Sequence, residues 1–374
     1  MKLYGKIGMK HFQNQFKMNL SKGEQEQYSR HLRLDEVGKA GQLKLKHAKV
    51  LVIGAGGLSC PILQYLSAAG VGTIGIVDDD IVEQSNLQRQ ILYTHKDLGK
   101  CKAVTAVERL KGLNPYIQFK TYPTRLKKDN ALEILEPWDI IVDGTDNFPT
   151  RYLINDAAVL LNKPIVFGSI HKFEGQVSVF NFNNGPTYRC LYPTPPKLNE
   201  IPNCSEIGVL GVLPGIIGSL QANEVLKIIL GLGNIMSGQL LTFDALSLKQ
   251  TLLFVEKNIS SNITTLEDDY QAFCGIPKDI EEISYQVYEE HPTSFNLLDV
   301  RTQTERDAYY IKSIHIPLDE LSKRFHEIPD NKKLLVCCQS GIRSKLAIKI
   351  LQQNKFRREL VNLKGGLKSI ISKA

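Results

Sequence analysis

Cysteine is scarce in this chain. Seven thiols among 374 residues, an odd number, exclude the disulfide framework of a small secreted protein. The first twenty residues hold four lysines and no acid, and they lack the apolar run that a secretory signal requires. The most apolar stretch, Ile207 to Asn223, is interrupted by Pro214 and runs into Glu224 and Lys227, so it reads as a buried helix rather than a membrane span. Internal repeats and low-complexity tracts are also missing. What remains, 43% hydrophobic and 23% charged residues, describes an ordinary globular chain of two or three domains, with a cytoplasmic location and reduced thiols expected. The net charge of +7 is unevenly placed, since residues 21–275 carry 25 basic against 26 acidic side chains. A neutral middle section argues against nucleic-acid binding.

Strand and helix patterns alternate from residue 21 onward. Lys49–Gly54, Thr73–Asp78, Trp138–Asp143 and Lys163–Phe167 are short apolar runs that predict strands, with helices predicted over Ser59–Ala69 and Gly99–Leu113. Such alternation predicts an α/β fold with a doubly wound, mainly parallel, Rossmann-like sheet. Gln176–Phe182 alternates strictly and suits an added antiparallel strand. Periodicity is lost between Asn258 and Ile280, and a second, smaller α/β unit then follows through Asn296–Val300, Lys333–Cys337, a helix over Ser344–Gln353, and Glu359–Leu363. The expected organisation is a basic extension (1–20), a large domain (21–258), a linker (259–282) and a small domain (283–374).

Gly54-Ala55-Gly56-Gly57-Leu58-Ser59 lies between a strand and a helix, where glycines bring backbone N–H groups and a helix start close to phosphate. Asp78, at the end of the next strand, is placed to accept ribose hydroxyls. Ser59 stands where a dinucleotide fingerprint would have its third glycine. Arg89 and Lys102 add two cations near the strand ends, more than a dehydrogenase needs but apt for a triphosphate being split. Asp146, in Gly144-Thr145-Asp146-Asn147, is placed to hold Mg²⁺ through one carboxylate.

Tyr28-Ser29-Arg30-His31, the glycine loop, Ser85-Asn86-Leu87-Gln88-Arg89-Gln90, Gly99-Lys100-Cys101-Lys102, the Gly144–Asn147 run and Glu174-Gly175-Gln176 together resemble the MoeB/ThiF family, relatives of the ubiquitin-activating enzymes. The resemblance covers about residues 21–258. It implies binding of ATP and Mg²⁺ and adenylation of the C-terminal glycine of a ubiquitin-fold sulfur carrier ending in Gly-Gly. It also implies nucleotide contacts from Gly57, Asp78, Ser85, Asn86, Arg89, Lys102, Asp146 and Asn147. Arg30 would reach the triphosphate of a neighbouring subunit, hence a homodimer.

The remaining cysteines sort by chemistry. Cys204 precedes the apolar helix expected at Ile207–Leu220, whose start would favour a thiolate; the resemblance adds a thioester or disulfide with the carrier. Family members hold zinc with two C-x-x-C pairs, but here Thr187 and Gln271 replace the first cysteine of each, leaving Cys190 and Cys274. Two thiols do not close a zinc site, so none is expected. Cys338-Gln339-Ser340-Gly341-Ile342-Arg343 follows a strand and opens a helix, a thiol cradled by backbone N–H groups with Arg343 closing the ring. Four residues separate cysteine from arginine, one fewer than a phosphatase loop uses, and the segment is similar to the rhodanese active loop. The resemblance spans roughly 283–374 and implies a persulfide on Cys338, charged by a donor such as a cysteine desulfurase.

The combined expectation is an adenylyltransferase joined to a sulfurtransferase that makes a carrier thiocarboxylate for molybdopterin, thiamine thiazole or tRNA thiolation. Three alternatives stand beside it: adenylation of a tRNA-bound carboxylate, a non-catalytic carrier-binding scaffold, and an NAD-dependent oxidoreductase that would leave Arg89, Lys102 and Cys338 unexplained.

Overall fold

The computed structural model describes residues 19–196, 208–258, 263–275 and 280–368. These divide into two units at Gly275/Ile276. Most of the basic extension and Cys204 lie outside the described residues.

The first unit is built on an eight-stranded sheet: β1 (Lys49–Ile53), β2 (Thr73–Val77), β3 (Gln118–Tyr122), β4 (Ile140–Asp143), β5 (Ile165–His171), β6 (Glu174–Phe180), β7 (Gln239–Asp244) and β8 (Gln250–Phe254), in the order β3-β2-β1-β4-β5-β6-β7-β8. Strands β1 to β5 pair in parallel, with Val50 opposite both Ile74 and Ile140, and β6 to β8 continue antiparallel. Order reverses at β1, which sends the chain first to one side and then to the other and leaves a crevice at the strands' carboxyl ends. Val50, Leu51 and Val52 are fully buried, as expected of a central parallel strand covered on both faces. Strand β3 escapes the sequence reading because it is a half-exposed edge, and β8 because every one of its residues is exposed.

Helix Leu213–Leu230 is apolar and long enough to cross a membrane by length and composition. It instead packs on helix Ser59–Ala69 and on strands β5 and β6. Gln221 donates to the Asp143 carbonyl at 2.8 Å, and Glu224 pairs with Lys227 at 2.5 Å. The helix begins at Leu213 rather than Ile207, because Pro214 is favoured in a first turn and not within a helix. The helix start expected beside Cys204 therefore lies further along the chain.

The supposed linker also needs correction. Residues 263–275 belong to the first unit, anchored by a few side chains rather than a periodic face. Tyr270 donates its hydroxyl to Asp156 at 2.7 Å, Phe273 meets Tyr152 edge to face, and Arg189 lies over both rings while pairing with Asp156 and Glu267.

The second unit carries β9 (Glu281–Ile283), β10 (Phe295–Asp299), β11 (Ile314–His315), β12 (Lys333–Cys337) and β13 (Leu360–Leu363), all parallel, in the order β11-β10-β12-β13-β9. Central β12 is buried except at Lys333, and it delivers Cys338 to the start of helix Ile342–Gln353.

Candidate active sites

In the first unit a cleft of about 380 Å³ opens at the carboxyl ends of the parallel strands. Gly54, Gly56, Gly57, Asp78, Arg89, Lys102, Asp146 and Asn147, all singled out from the sequence, line it. Gly54 has φ +91, and a Cβ there would lie 2.9 Å from the Gly144 carbonyl oxygen, so the β1 and β4 loops touch. The absent third glycine has a local explanation. Ser59 is fully buried with its Oγ where a Cβ on Gly144 would fall, so Gly144 has yielded the space.

Asp78 ties the loop to β2, accepting from Ala55 N–H at 2.6 Å and from Asp80 N–H at 2.8 Å. Burial raises its carboxyl above the usual range, while the two N–H donors counteract the shift. Each oxygen retains a lone pair for a ribose hydroxyl. Lys102, nearly buried, reaches Asp80 at 2.9 Å. Arg89 donates to the Ser85 carbonyl at 3.1 Å. Asn147 caps helix Phe148–Leu160 by accepting from Thr150 N–H at 3.0 Å, which leaves the neighbouring Asp146 side chain exposed at the cleft.

Two expected contacts, Ser85 and Asn86, lie outside the lining, as does Arg30, which was expected to serve a neighbouring subunit. Asn86 is buried and closes its own turn on Glu83 N–H, Ser85 is exposed beside Glu83, and Arg30 is exposed on helix Ser29–Leu32. Sequence reasoning missed Arg125, Arg151 and Lys172, which add positive charge to the cleft, and His171, which also lines it. Arg151 is buried, donates to the Thr145 carbonyl at 2.9 Å and faces Asp143 at 3.8 Å. Its signal was available: one turn after the Asn147 cap, a long side chain points back toward the helix start. Asp78, Asp79 and Asp80 bring their carboxylates within 4.8 Å of one another, yet Asp78 is occupied by backbone and Asp80 by Lys102.

At the degenerate zinc positions, Cys190 Sγ accepts from Thr187 N–H and from Asn258 N–H, both at 3.3 Å. Burial pushes the Cys274 thiol up to about 12.

In the second unit Cys338 is fully buried at the mouth of β12. Its Sγ accepts from Gly341 N–H at 3.1 Å and lies 3.4 Å from Ser344 Oγ. Burial works to raise this thiol, but the Ser344 hydroxyl and the backbone donors of Ser344, Ser340 and Gly341 outweigh it and hold the thiol below its ordinary value. The neighbouring Cys337 has no such donors and burial drives it well up. The loop is clamped from behind, with Leu367 N–H donating to the Cys338 carbonyl and Lys368 N–H to that of Gln339. Arg343 does not close the ring as expected. Its guanidinium forms a two-point pair with Glu305 at 2.6 and 2.7 Å. Ser344 and Glu305 were both missed, although Thr302-x-x-Glu305 is a legible capping box.

Comparison with known proteins bears on both units. The ThiF family model matches residues 28–262, and a rhodanese-like domain matches 284–373. A sulfur carrier protein adenylyltransferase of Thermus thermophilus is 51% identical across 69% of this chain and all of its own length. A probable adenylyltransferase/sulfurtransferase of Mycobacterium tuberculosis, MoeZ, is 40% identical over 93% of both chains. Among solved structures, Escherichia coli MccB superposes with a TM-score of 0.57 at 21% identity, covering 64% of this chain and 74% of that one, a likeness of fold. Fold, sites and relatives define an enzyme with nucleotidyltransferase and sulfurtransferase parts. The chain belongs to the ThiF family and carries a C-terminal rhodanese-like domain.

Proposed function

We propose that this enzyme adenylates the C-terminal glycine of a ubiquitin-fold sulfur carrier ending in Gly-Gly and then converts it to a thiocarboxylate. The observation that carries this reading is one chain holding both a cation-lined cleft at strand ends and a buried thiol held below its ordinary pKa. The carrier carboxylate attacks the α-phosphorus of ATP and pyrophosphate leaves. Arg89 and Lys102 lie where charge develops on the phosphates, and the glycine loop offers N–H donors fixed before reaction. Asp146 is the exposed carboxylate that would hold Mg²⁺ together with phosphate oxygens. When bound, that ion supplies further neutralisation of phosphate charge. Arg30 serves the cleft of a second subunit in a homodimer, and the enzyme works in the cytoplasm.

A persulfide on Cys338, charged by a cysteine desulfurase or a similar donor, then attacks the acyl carbon. The bond to AMP breaks, and the carrier is joined to Cys338 through an acyl disulfide. The Cys204 thiolate attacks the Cys338 sulfur and expels the carrier thiocarboxylate. A cellular dithiol reduces the Cys204–Cys338 disulfide that remains. The thiocarboxylate serves molybdopterin, thiamine thiazole or tRNA thiolation.

The test is mass spectrometry of the carrier after one turnover with ATP and a persulfide donor. Cys338→Ala should keep carrier-dependent pyrophosphate exchange but yield no thiocarboxylate. A normal yield from that variant, with no added sulfide, would remove the rhodanese-like domain from the pathway.

A further inference from the structure

The Cys338 loop has the geometry of an anion cradle, but among the described residues no cation lies within hydrogen-bond distance of its sulfur. Among the described residues, the donors around Sγ are the Gly341, Ser340 and Ser344 backbone N–H groups and the Ser344 hydroxyl, all of them neutral. The nearby guanidiniums have other engagements. Arg301 is fully buried against Asp299 at 2.8 Å. Arg306 donates to Ser313 and lies over the Tyr310 ring. Arg343, the loop's own arginine, is held in the planar two-point geometry that carboxylates and guanidiniums favour.

Glu305 is itself fixed in place. Its Oε2 accepts from Thr302 N–H at 3.0 Å and from the Thr302 hydroxyl at 3.1 Å, and its carbonyl accepts from the buried Arg301 at 3.0 Å. The carboxylate is held by a capping box and its own backbone carbonyl by the buried Arg301, which fixes it more firmly than a mobile surface bridge. Arg343 holds its carboxyl down at about 2, so it stays ionised throughout the working range.

The consequence concerns what can charge Cys338. Thiosulfate brings two negative charges to a thiolate and releases sulfite, also a dianion. A protonated persulfide brings none, and releases one thiolate. In both cases Cys338 Sγ bonds to the outer sulfur of the donor, the donor's S–S bond breaks and its inner sulfur leaves with the electron pair; with a persulfide, the transferred sulfur keeps its proton until solvent takes it. A free cation near Sγ would therefore favour the first reaction more than the second.

We propose that Glu305 sets the donor specificity of this site: by holding Arg343 it keeps from the sulfur the cation that would favour a dianionic donor and so biases Cys338 toward persulfide donors. This rests on the reading that Cys338 carries the transferable sulfur. Glu305 is a positioning residue, acting through Arg343 without touching the sulfur.

The full-length protein tests this with two donors, thiosulfate and glutathione persulfide, with cyanide as acceptor. The readout is the ratio of the two kcat/KM values, which a folding defect would not move because it lowers both alike. Glu305→Gln should raise thiosulfate use relative to persulfide by about tenfold or more, the scale of one charge-assisted hydrogen bond regained. The double variant Glu305→Gln/Arg343→Gln should return the ratio to its starting value. An unchanged or reduced ratio in Glu305→Gln, or a gain that survives loss of Arg343, overturns the proposal. Cys338→Ala run beside them separates the two readings, since sulfur transfer surviving there would defeat the parent assignment instead.

Discussion

Replacing Gly366 by alanine should disable sulfur transfer while leaving adenylation intact. Gly366 has φ +58, and an added Cβ would fall 2.4 Å from the Cys338 carbonyl oxygen, 2.6 Å from Gly341 N and 2.7 Å from Ser340 N. Two costs combine. The left-handed backbone charges a side chain about 1–2 kcal/mol. The clash must also be relieved by moving the active loop roughly 1 Å to reach ordinary contact distances. The displaced atoms include the Gly341 amide that points at Cys338 Sγ. A misplacement of that size costs about a hundredfold in rate. Persulfide-to-cyanide transfer should therefore fall by about that factor, Cys338 should alkylate more slowly at pH 7, and carrier-dependent pyrophosphate exchange should not change. Gly99→Ala is the comparison, since Gly99 has φ +78 but nothing within 4 Å of its added Cβ, so it bears the backbone cost alone. Sulfur transfer within threefold of the parent in Gly366→Ala would refute the view that this loop is rigidly backed.

Asp146→Ala should abolish pyrophosphate exchange and leave Trp138 fluorescence native; exchange at the parent rate would move the metal ligand elsewhere in the cleft. The purified protein should hold well under one zinc per chain, because Cys274 resists ionisation and Cys190 Sγ accepts from two backbone amides; stoichiometric zinc by elemental analysis would contradict this. Burial alone would raise Asp97, but the Arg109 guanidinium and Thr94 hold it down at about 2. Its contribution to stability is therefore complete above the unfolded value near 4 and lost as pH falls through about 2. Urea unfolding of the first unit, followed by its single tryptophan, should weaken over that window, and Asp97→Asn should flatten the loss.

Much of the first site was legible because its chemistry lies in contiguous motifs at strand ends. Gly54, Asp78, Lys102 and Asp146 each sit within a residue or two of a strand or helix terminus, where spacing along the chain fixes position in space. What stayed hidden depends on tertiary encounter. Arg125 and Lys172 reach the cleft from separate loops, and nothing local marks them. The 263–275 segment looks like a linker because Tyr270, Phe273 and Cys274 dock without a repeating face. Arg343 was correctly placed beside the active loop, but its engagement was not, because Glu305 lies 38 residues away in sequence.

The two sites share a device and differ in how firmly it is set. Each places an anion-binding loop between a parallel strand and a helix, and each keeps a nearby cation paired with a carboxylate. Lys102 is nearly buried, but its partner Asp80 is 68% exposed and its carboxylate meets the ammonium at one point. Water screens such a pair, so under the proposed function an arriving triphosphate would displace Asp80 at little cost. Arg343 and Glu305 are each about one-third exposed, joined at two points, and braced by Thr302 and Arg301. No monovalent or neutral donor competes well for that guanidinium. The first cation is held by one screened contact and the second by a braced two-point pair, so under the proposed function an arriving phosphate would free Lys102, whereas Cys338 would rely on the neutral donors of its own loop to steady an anionic sulfur.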